Sequence, residues 1–296
     1  MATLRELKTR IGSVASSEKI TGAMKMISSA KVHSNEQSLK RLKPFKSRIQ
    51  SIMGHILSTG ENFNSPLIEE REVAHAGIVV YGSDDGLCGA YNINIFKGLL
   101  VKINELQQKY GENVDITIFP VGAKMVKAVR KIEGGKLHVV VPEGVNCKME
   151  GAKVTEFTEM LREEFIGGKL DRIDVVYMLF KNMSRQTLTT EALFPVDAAT
   201  LMKESGEAVD DNQLYIFEPG PNRIFNEVLP MFVMSTMQEI TIENRASEQA
   251  ARVVAMQSAN DNARKLLDEL HLEYNKLRQQ SITTELLDIL GGQVKN

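Results

Sequence analysis

The sequence predicts an α/β protein: a long antiparallel two-helix coiled coil made by the N- and C-terminal segments, plus a central Rossmann-like domain with a mostly parallel sheet. Three observations predict it. Narrow apolar stripes at helical spacing mark both ends of the chain, strand-like runs alternate with helical stretches between them, and the second stripe outlasts anything a compact domain needs.

At the amino end the stripe runs through Leu4, Leu7, Ile11 and Val14, then Ile20, Met24 and Ile27, then Leu42, Phe45, Ile49, Ile52 and Ile56. So narrow a stripe resembles a coiled-coil seam more than a helix lying on a broad core. Ser28, Ser29, Ala30, Ser34 and Asn35 interrupt it with small or polar side chains that let a second backbone approach. Pro44 predicts a kink or break near Lys43, because proline removes a donor and crowds the preceding turn. The first segment is therefore a coiled-coil helix over residues 1–60.

The carboxyl end carries the matching stripe, Ala246, Ala250, Val253, Met256, Asn260, Ala263, Leu267, Leu270, Tyr274 and Leu277. Asp261 with Lys265, and Glu273 with Lys276, place opposite charges side by side on the outer face. Between Asn222 and Leu290 only Pro230 interrupts, and Gly291–Gly292 supply an expected stop. A helix over 222–290 follows, about 100 Å long at about 1.5 Å per residue. Two such stripes bury each other most simply as an antiparallel pair.

The centre, residues 75–217, reads as a separate domain. AGIVVYG, DITIFP, KLHVVV and IDVVYMLFKN are candidate buried strands, with helices expected at 94–110, 123–131 and 155–165 and a polar loop over 203–213. Alternation of this kind argues an open, mostly parallel sheet.

Composition narrows the function. The chain has 296 residues, 25% charged and 43% hydrophobic, which fits an ordinary folded protein and neither a disordered nor a membrane-spanning one. Its charged amino terminus is unlike a secretory signal, so a cytoplasmic chain is expected. The first fifty residues hold eleven Lys/Arg against three Glu, a formal +8, leaving −10 on the remainder of a chain whose net charge is −2. Such an arm meets nucleic acid, an anionic membrane or an acidic protein; the lysines lie on several faces without interleaved aromatics, which favours an acidic protein and no nucleic acid.

Catalytic chemistry is hard to find. The loop GSDDGLCGAYN, residues 82–92, has glycines at a strand-to-helix turn, yet its spacing matches neither phosphate-binding fingerprint, and Asp84 and Asp85 repel phosphate. A structural turn is expected, with a nucleotide-dependent enzyme as the alternative. His33, His55, His75, His138 and His271 show no metal-ligand spacing, and Cys88 and Cys147 lie far apart and read as reduced thiols. No catalytic, cofactor or metal residue is nominated. On this reading Arg252 simply pairs with Glu248 on an exposed helix face, and Gln279 is wet.

RIGSVASSEKITGAMKMISSAKV (residues 10–32), SDDGLCGAYN and the long run ASEQAARVVAMQSANDNARKLLDELHLEYNKLRQQSITTELLDILGG (residues 246–292) resemble the gamma family of the F-type ATP synthases. The chain departs from that pattern mildly, with Gly22 where a basic residue is common. The resemblance implies a non-catalytic central stalk, one copy per complex, on the cytoplasmic face of a bacterial inner membrane. Its partners are the alpha and beta subunits of a threefold ring, the epsilon subunit and the membrane c-ring, and it uses no cofactor. By motif position, Met24, Arg252, Gln279, Thr283 and Asp288 meet beta subunits; Leu286, Leu287, Ile289 and Leu290 form an apolar tip; Tyr215 and Glu218 belong to a foot on the c-ring and epsilon side.

Overall fold

The computed structural model describes residues 3–59, 63–197 and 216–293. The chain divides into two compact units, one of Ala30–Ala251 and one of Met1–Ser29 with Arg252–Asn296. The division falls inside the two long helices, so each helix contributes one portion to each unit.

Helix α1 spans Leu4–Leu57 and continues through Pro44, so of the expected kink or break near Lys43 the break does not occur. The central domain runs β1 (His75–Tyr81), α2 (Tyr91–Tyr110), β2 (Asp115–Val121), α3 (Ala123–Val129), β3 (Leu137–Val139), α4 (Gly151–Ile166), β4 (Arg172–Asn182) and β5 (Arg185–Phe194). Helix α5 then covers Pro221–Gln293. It passes through Gly291 and Gly292 instead of stopping there; glycine weakens a helix by only about 1 kcal/mol per residue and does not forbid it. The polar stretch 203–213 lies outside the described residues.

Within the larger unit the strands order β3-β2-β1-β4-β5. The first four are parallel, with His75 opposite Asp115 and Ala76 opposite Arg172, while β5 returns antiparallel along β4. The sequence reading missed β5. Its residues, RQTLTTEALF, alternate around small polar side chains and form a half-exposed edge, so no apolar run announces it. The expected third strand KLHVVV shortens to three paired residues.

Side-chain alternation divides the sheet into two apolar layers. Ile78, Val80, Ile116, Ile118 and Val176 face α2 and α3. On the other face Val79, Phe119, Val121, Val175 and Phe194 join α4 residues such as Phe157 and Leu161. Ile49, Met53 and Ile56 of α1 and Phe225, Leu229, Val233, Met237 and Ile240 of α5 complete that second core. Both long helices therefore bury their seams on the same side of the sheet.

The C-terminal stripe is buried much as its spacing predicts, with Ala246, Ala250, Val253, Met256, Asn260 and Leu270 all covered. The N-terminal stripe needs correction. Ile20, Ile27, Phe45 and Ile52 are exposed, and the buried positions include Leu7, Ser28, Val32, Leu39, Ile49, Met53, Ile56 and Leu57. Small Ser28 is covered where bulkier Ile27 is not.

Candidate functional site

In the larger unit, the loop that most resembled a nucleotide site is already filled by the protein's own groups. The Ser83 amide donates to Asn92 Oδ1 at 3.0 Å, Asn92 Nδ2 donates to Ser83 Oγ at 2.7 Å, and Ser83 Oγ donates to the Asp85 carbonyl at 2.7 Å. Asp84 Oδ1 accepts from the Ala123 amide at 3.0 Å, so a carboxylate stands at the start of α3 where a phosphate would otherwise be drawn. The Ser83 and Ala123 amides and the Asn92 side chain are thus engaged within the protein.

What the loop does instead is hold helix α5. Asn244 of α5 is 1% exposed, and its Nδ2 donates to the Gly82 carbonyl at 3.0 Å. The Tyr91 hydroxyl donates to Asn244 Oδ1 at 2.6 Å and lies 3.0 Å from the Asn244 carbonyl oxygen. One turn earlier Tyr81 and Thr241 share a hydrogen bond at 2.8 Å. Arg245 donates from Nε to the Cys147 carbonyl at 2.6 Å and from a terminal nitrogen to the Met149 carbonyl, and Ser247 Oγ donates to the Met178 carbonyl at 2.8 Å.

Two glycines let the loops beneath the helix pack closely on one another. A Cβ on Gly82 would stand 2.7 Å from Met125 Cβ, and one on Gly122, whose φ is +102°, would stand 2.6 Å from Cys147 Sγ. The Cys147 thiol also donates to the Gly82 carbonyl at 3.1 Å, and burial holds its pKa well above the usual range, so it acts as a neutral packing group. Burial likewise raises the Tyr81 phenol and lowers the Arg245 guanidinium. None of these α5 side chains was singled out from the sequence. Their partners are carbonyls and tyrosines 69 to 162 residues distant, and no short motif signals that.

Near the same face, Glu243 sits among Glu239, Glu191, Lys46 and Lys43. Lys46 Nζ lies 2.5 Å from Glu239 Oε2, and the Tyr177 hydroxyl donates to Glu191 Oε1 at 2.7 Å. At the opposite strand ends Asp115 lies between His75 and His138, each 3.9 Å away, with Lys136 at 3.0 Å. No group with metal-binding geometry occurs among the described residues.

In the smaller unit the two helices run antiparallel. Asn260 Nδ2 donates to the Glu18 carbonyl at 2.7 Å, and Arg264 Nε donates to Glu18 Oε1 at 2.9 Å, while Thr21 lies beside Asn260. The sequence-nominated residues fall here unevenly. Met24 is half-buried and Gln279 and Thr283 are exposed, the Thr283 hydroxyl donating to the Gln279 carbonyl at 2.9 Å. Arg252 is only 5% exposed, so the expected surface pair with Glu248 is corrected: both side chains are covered. Leu286, Leu287, Ile289 and Leu290 are exposed by 55 to 63%. Asp288 lies in α5. In the larger unit Glu218 is exposed, just before α5, and Tyr215 lies outside the described residues.

The larger unit thus spends its glycine-bearing loop on gripping a helix, and the smaller unit is a pair of long helices with exposed apolar residues near the end of α5. The family described as ATP synthase matches residues 3–294, and the chain belongs to that family, specifically with its gamma chains. It is 37% identical to the ATP synthase gamma chain of Bacteroides thetaiotaomicron over the whole of both chains, and 35% identical to that of Histophilus somni over 99% of each. Among solved structures it resembles the rotor of the Euglena gracilis mitochondrial ATP synthase, with a TM-score of 0.60, 18% identity and coverage of 94% of this chain and 98% of the other. A chain of the Tetrahymena thermophila mitochondrial ATP synthase central stalk and c-ring is similar at a TM-score of 0.55 and 19% identity, covering 81% of this chain and 99% of that one.

Proposed function

We infer that this chain is the central rotary shaft of an F-type ATP synthase, non-catalytic itself, carrying torque between a membrane c-ring and the alpha and beta subunits of the catalytic ring. One asymmetric shaft meets a threefold ring in one orientation at a time, so turning it stabilises a different conformation at each catalytic site in succession. The observation that carries the reading is full-length kinship with gamma chains, borne on a fold whose would-be nucleotide loop is spent on holding a helix.

The site residues take their roles from this reading. Leu286, Leu287, Ile289 and Leu290 form an apolar tip turning in an apolar sleeve, where non-directional contacts slide at little cost. Gln279 is an exposed polar group that favours particular angles by bonding a beta-subunit loop, and Met24, Thr283, Asp288 and Arg252 belong to the same partner-facing set at other levels of the two helices. Tyr215 and Glu218 face the c-ring and the epsilon subunit. The complex sits peripherally on the cytoplasmic face of the inner membrane; no helix among the described residues is long and apolar enough to cross a bilayer.

Assembly tests this. A tagged chain recovered from its own cells is expected to bring down, per copy, several copies of two larger nucleotide-binding chains. Recovery of the chain alone from detergent-solubilised membranes would overturn the reading.

A further inference from the structure

We propose that residues 241–247 of α5 form a torsional clamp, in which Thr241, Asn244, Arg245 and Ser247, bonded to Tyr81, Gly82, Tyr91, Cys147, Met149 and Met178, stop the long helix from rolling against the sheet. The proposal rests on the rotary reading above and assigns the positioning residues through which torque enters the helix.

The argument begins with a change of character along α5. From Phe225 to Ile240 the helix meets the sheet through apolar side chains, Phe225, Leu229, Val233, Met237 and Ile240. Such contacts hold a helix down strongly but are non-directional, so they resist lifting far more than rolling. From Thr241 onward the contacts become hydrogen bonds, four to main-chain carbonyls of β4 and of the loops and two to tyrosine hydroxyls. Those acceptors are fixed by the sheet and cannot follow a turning helix.

The bonds also spread around the axis. At about 100° per residue, positions 241, 244, 245 and 247 point across roughly 160° of the helix circumference. Arg245 reaches the segment before α4, Ser247 reaches β4, and Asn244 lies between them on β1 and α2. Rolling in either direction therefore stretches one side of the set. Thr241, Asn244 and Ser247 are almost fully buried, so a broken bond finds no water in exchange and the cost is that of an unsatisfied buried group. The central domain itself contributes two tyrosine hydroxyls and the closed loop at Gly82 to these two turns of α5.

The test uses the whole complex, purified and reconstituted in vesicles, with Asn244→Leu and Arg245→Met combined so that volume and apolar contact remain while the directional bonds go. Subunit stoichiometry, ATP hydrolysis and ATP-driven proton uptake are measured on the same preparations. Hydrolysis is expected within about twofold of the parent, while proton uptake per ATP falls roughly fivefold or more, about the weight of one lost hydrogen bond. Uptake per ATP equal to the parent's would overturn the clamp and leave the rotary reading standing. A parent complex that pumps without this chain would overturn the rotary reading itself. Should the double variant fail to assemble, Tyr81→Phe with Tyr91→Phe removes only two hydroxyls, and an unchanged ratio there likewise overturns the clamp.

Discussion

Asn260 Nδ2 sits 2.7 Å from the main-chain carbonyl oxygen of Glu18, a hydrogen bond between the two long helices in the smaller unit. Asn260 is 6% exposed in an otherwise apolar stripe, and the opposite position is Gly22, where an added Cβ would come 3.4 Å from the amide nitrogen. A single buried asparagine in a helix seam fixes register at some cost in stability. Asn260→Leu is therefore expected to leave the melting temperature unchanged or higher while loosening register. Disulfide trapping of cysteines placed at positions 18 and 264 should then become less selective against pairs offset by one turn. Unchanged selectivity contradicts the assignment.

Gly22 itself is a helical glycine with room for a methyl. Gly22→Ala is expected to raise stability by about 0.5–1 kcal/mol, read from denaturant unfolding. A loss of stability would show that the Asn260 amide cannot yield the space.

The glycines of the central loop separate by role. Gly122→Ala places a methyl 2.6 Å from Cys147 Sγ at a left-handed φ and is expected to cost about 2–3 kcal/mol, whereas Gly86→Ala meets nothing closer than the flexible end of Lys124 and should change stability by less than about 0.5 kcal/mol. Thermal unfolding of both variants checks the pair. Equal effects would mean that the loop is not the tight joint described.

Glu243 gives a pH dependence with a definite sign. Its pKa is pushed up to about 8, by burial first, then by Glu239 and Glu191, with Lys46 and Lys43 pulling the other way; Tyr177, bonded to Glu191, is raised as well. Between the ordinary carboxyl value and about 8 the folded chain keeps a proton that the unfolded chain has lost. Unfolding then releases a proton, so this group's contribution falls as pH rises through that window and levels off above it. Glu243→Gln should remove the trend, gaining on the order of 1–2 kcal/mol over the parent at pH 9 relative to pH 5, after discounting for partial solvation. Parallel stability curves for parent and variant would contradict it.

Gln279 and Arg252 should now behave differently. Exposed Gln279→Leu is expected to leave the isolated chain's helicity and stability intact while lowering coupled synthesis in the assembled complex. Arg252→Ala, buried and engaged with its neighbours, should also cost the isolated chain about 1.5–3 kcal/mol. Normal synthesis by fully assembled Gln279→Leu complexes would remove that residue from the partner-facing set.

Much of the architecture was legible because it follows from periodicity. The stripe from Ala246 to Leu270, the first two strands and the helices after them are carried by residues whose burial depends only on local spacing. The failures share a physical cause, dependence on groups remote in sequence. Ser28 is covered and Ile27 exposed against the apolar stripe the sequence shows, and β5 is a strand because β4 offers an edge, not because its own residues demand one. The clamp was illegible for the same reason: in TIENRAS the threonine, asparagine, arginine and serine look like solvated helix positions until the carbonyls they meet are in place.

Rotation itself tests the central claim most directly. Cys88 and Cys147 are both buried, so a cysteine introduced at exposed Ser184, in the turn between β4 and β5, offers a selective attachment point for a bead. With the catalytic ring fixed to a surface and the membrane ring removed, ATP is expected to turn the bead in one direction in steps of about 120°, as a threefold ring requires. A bead that stays still on complexes that are hydrolysing ATP would contradict the account.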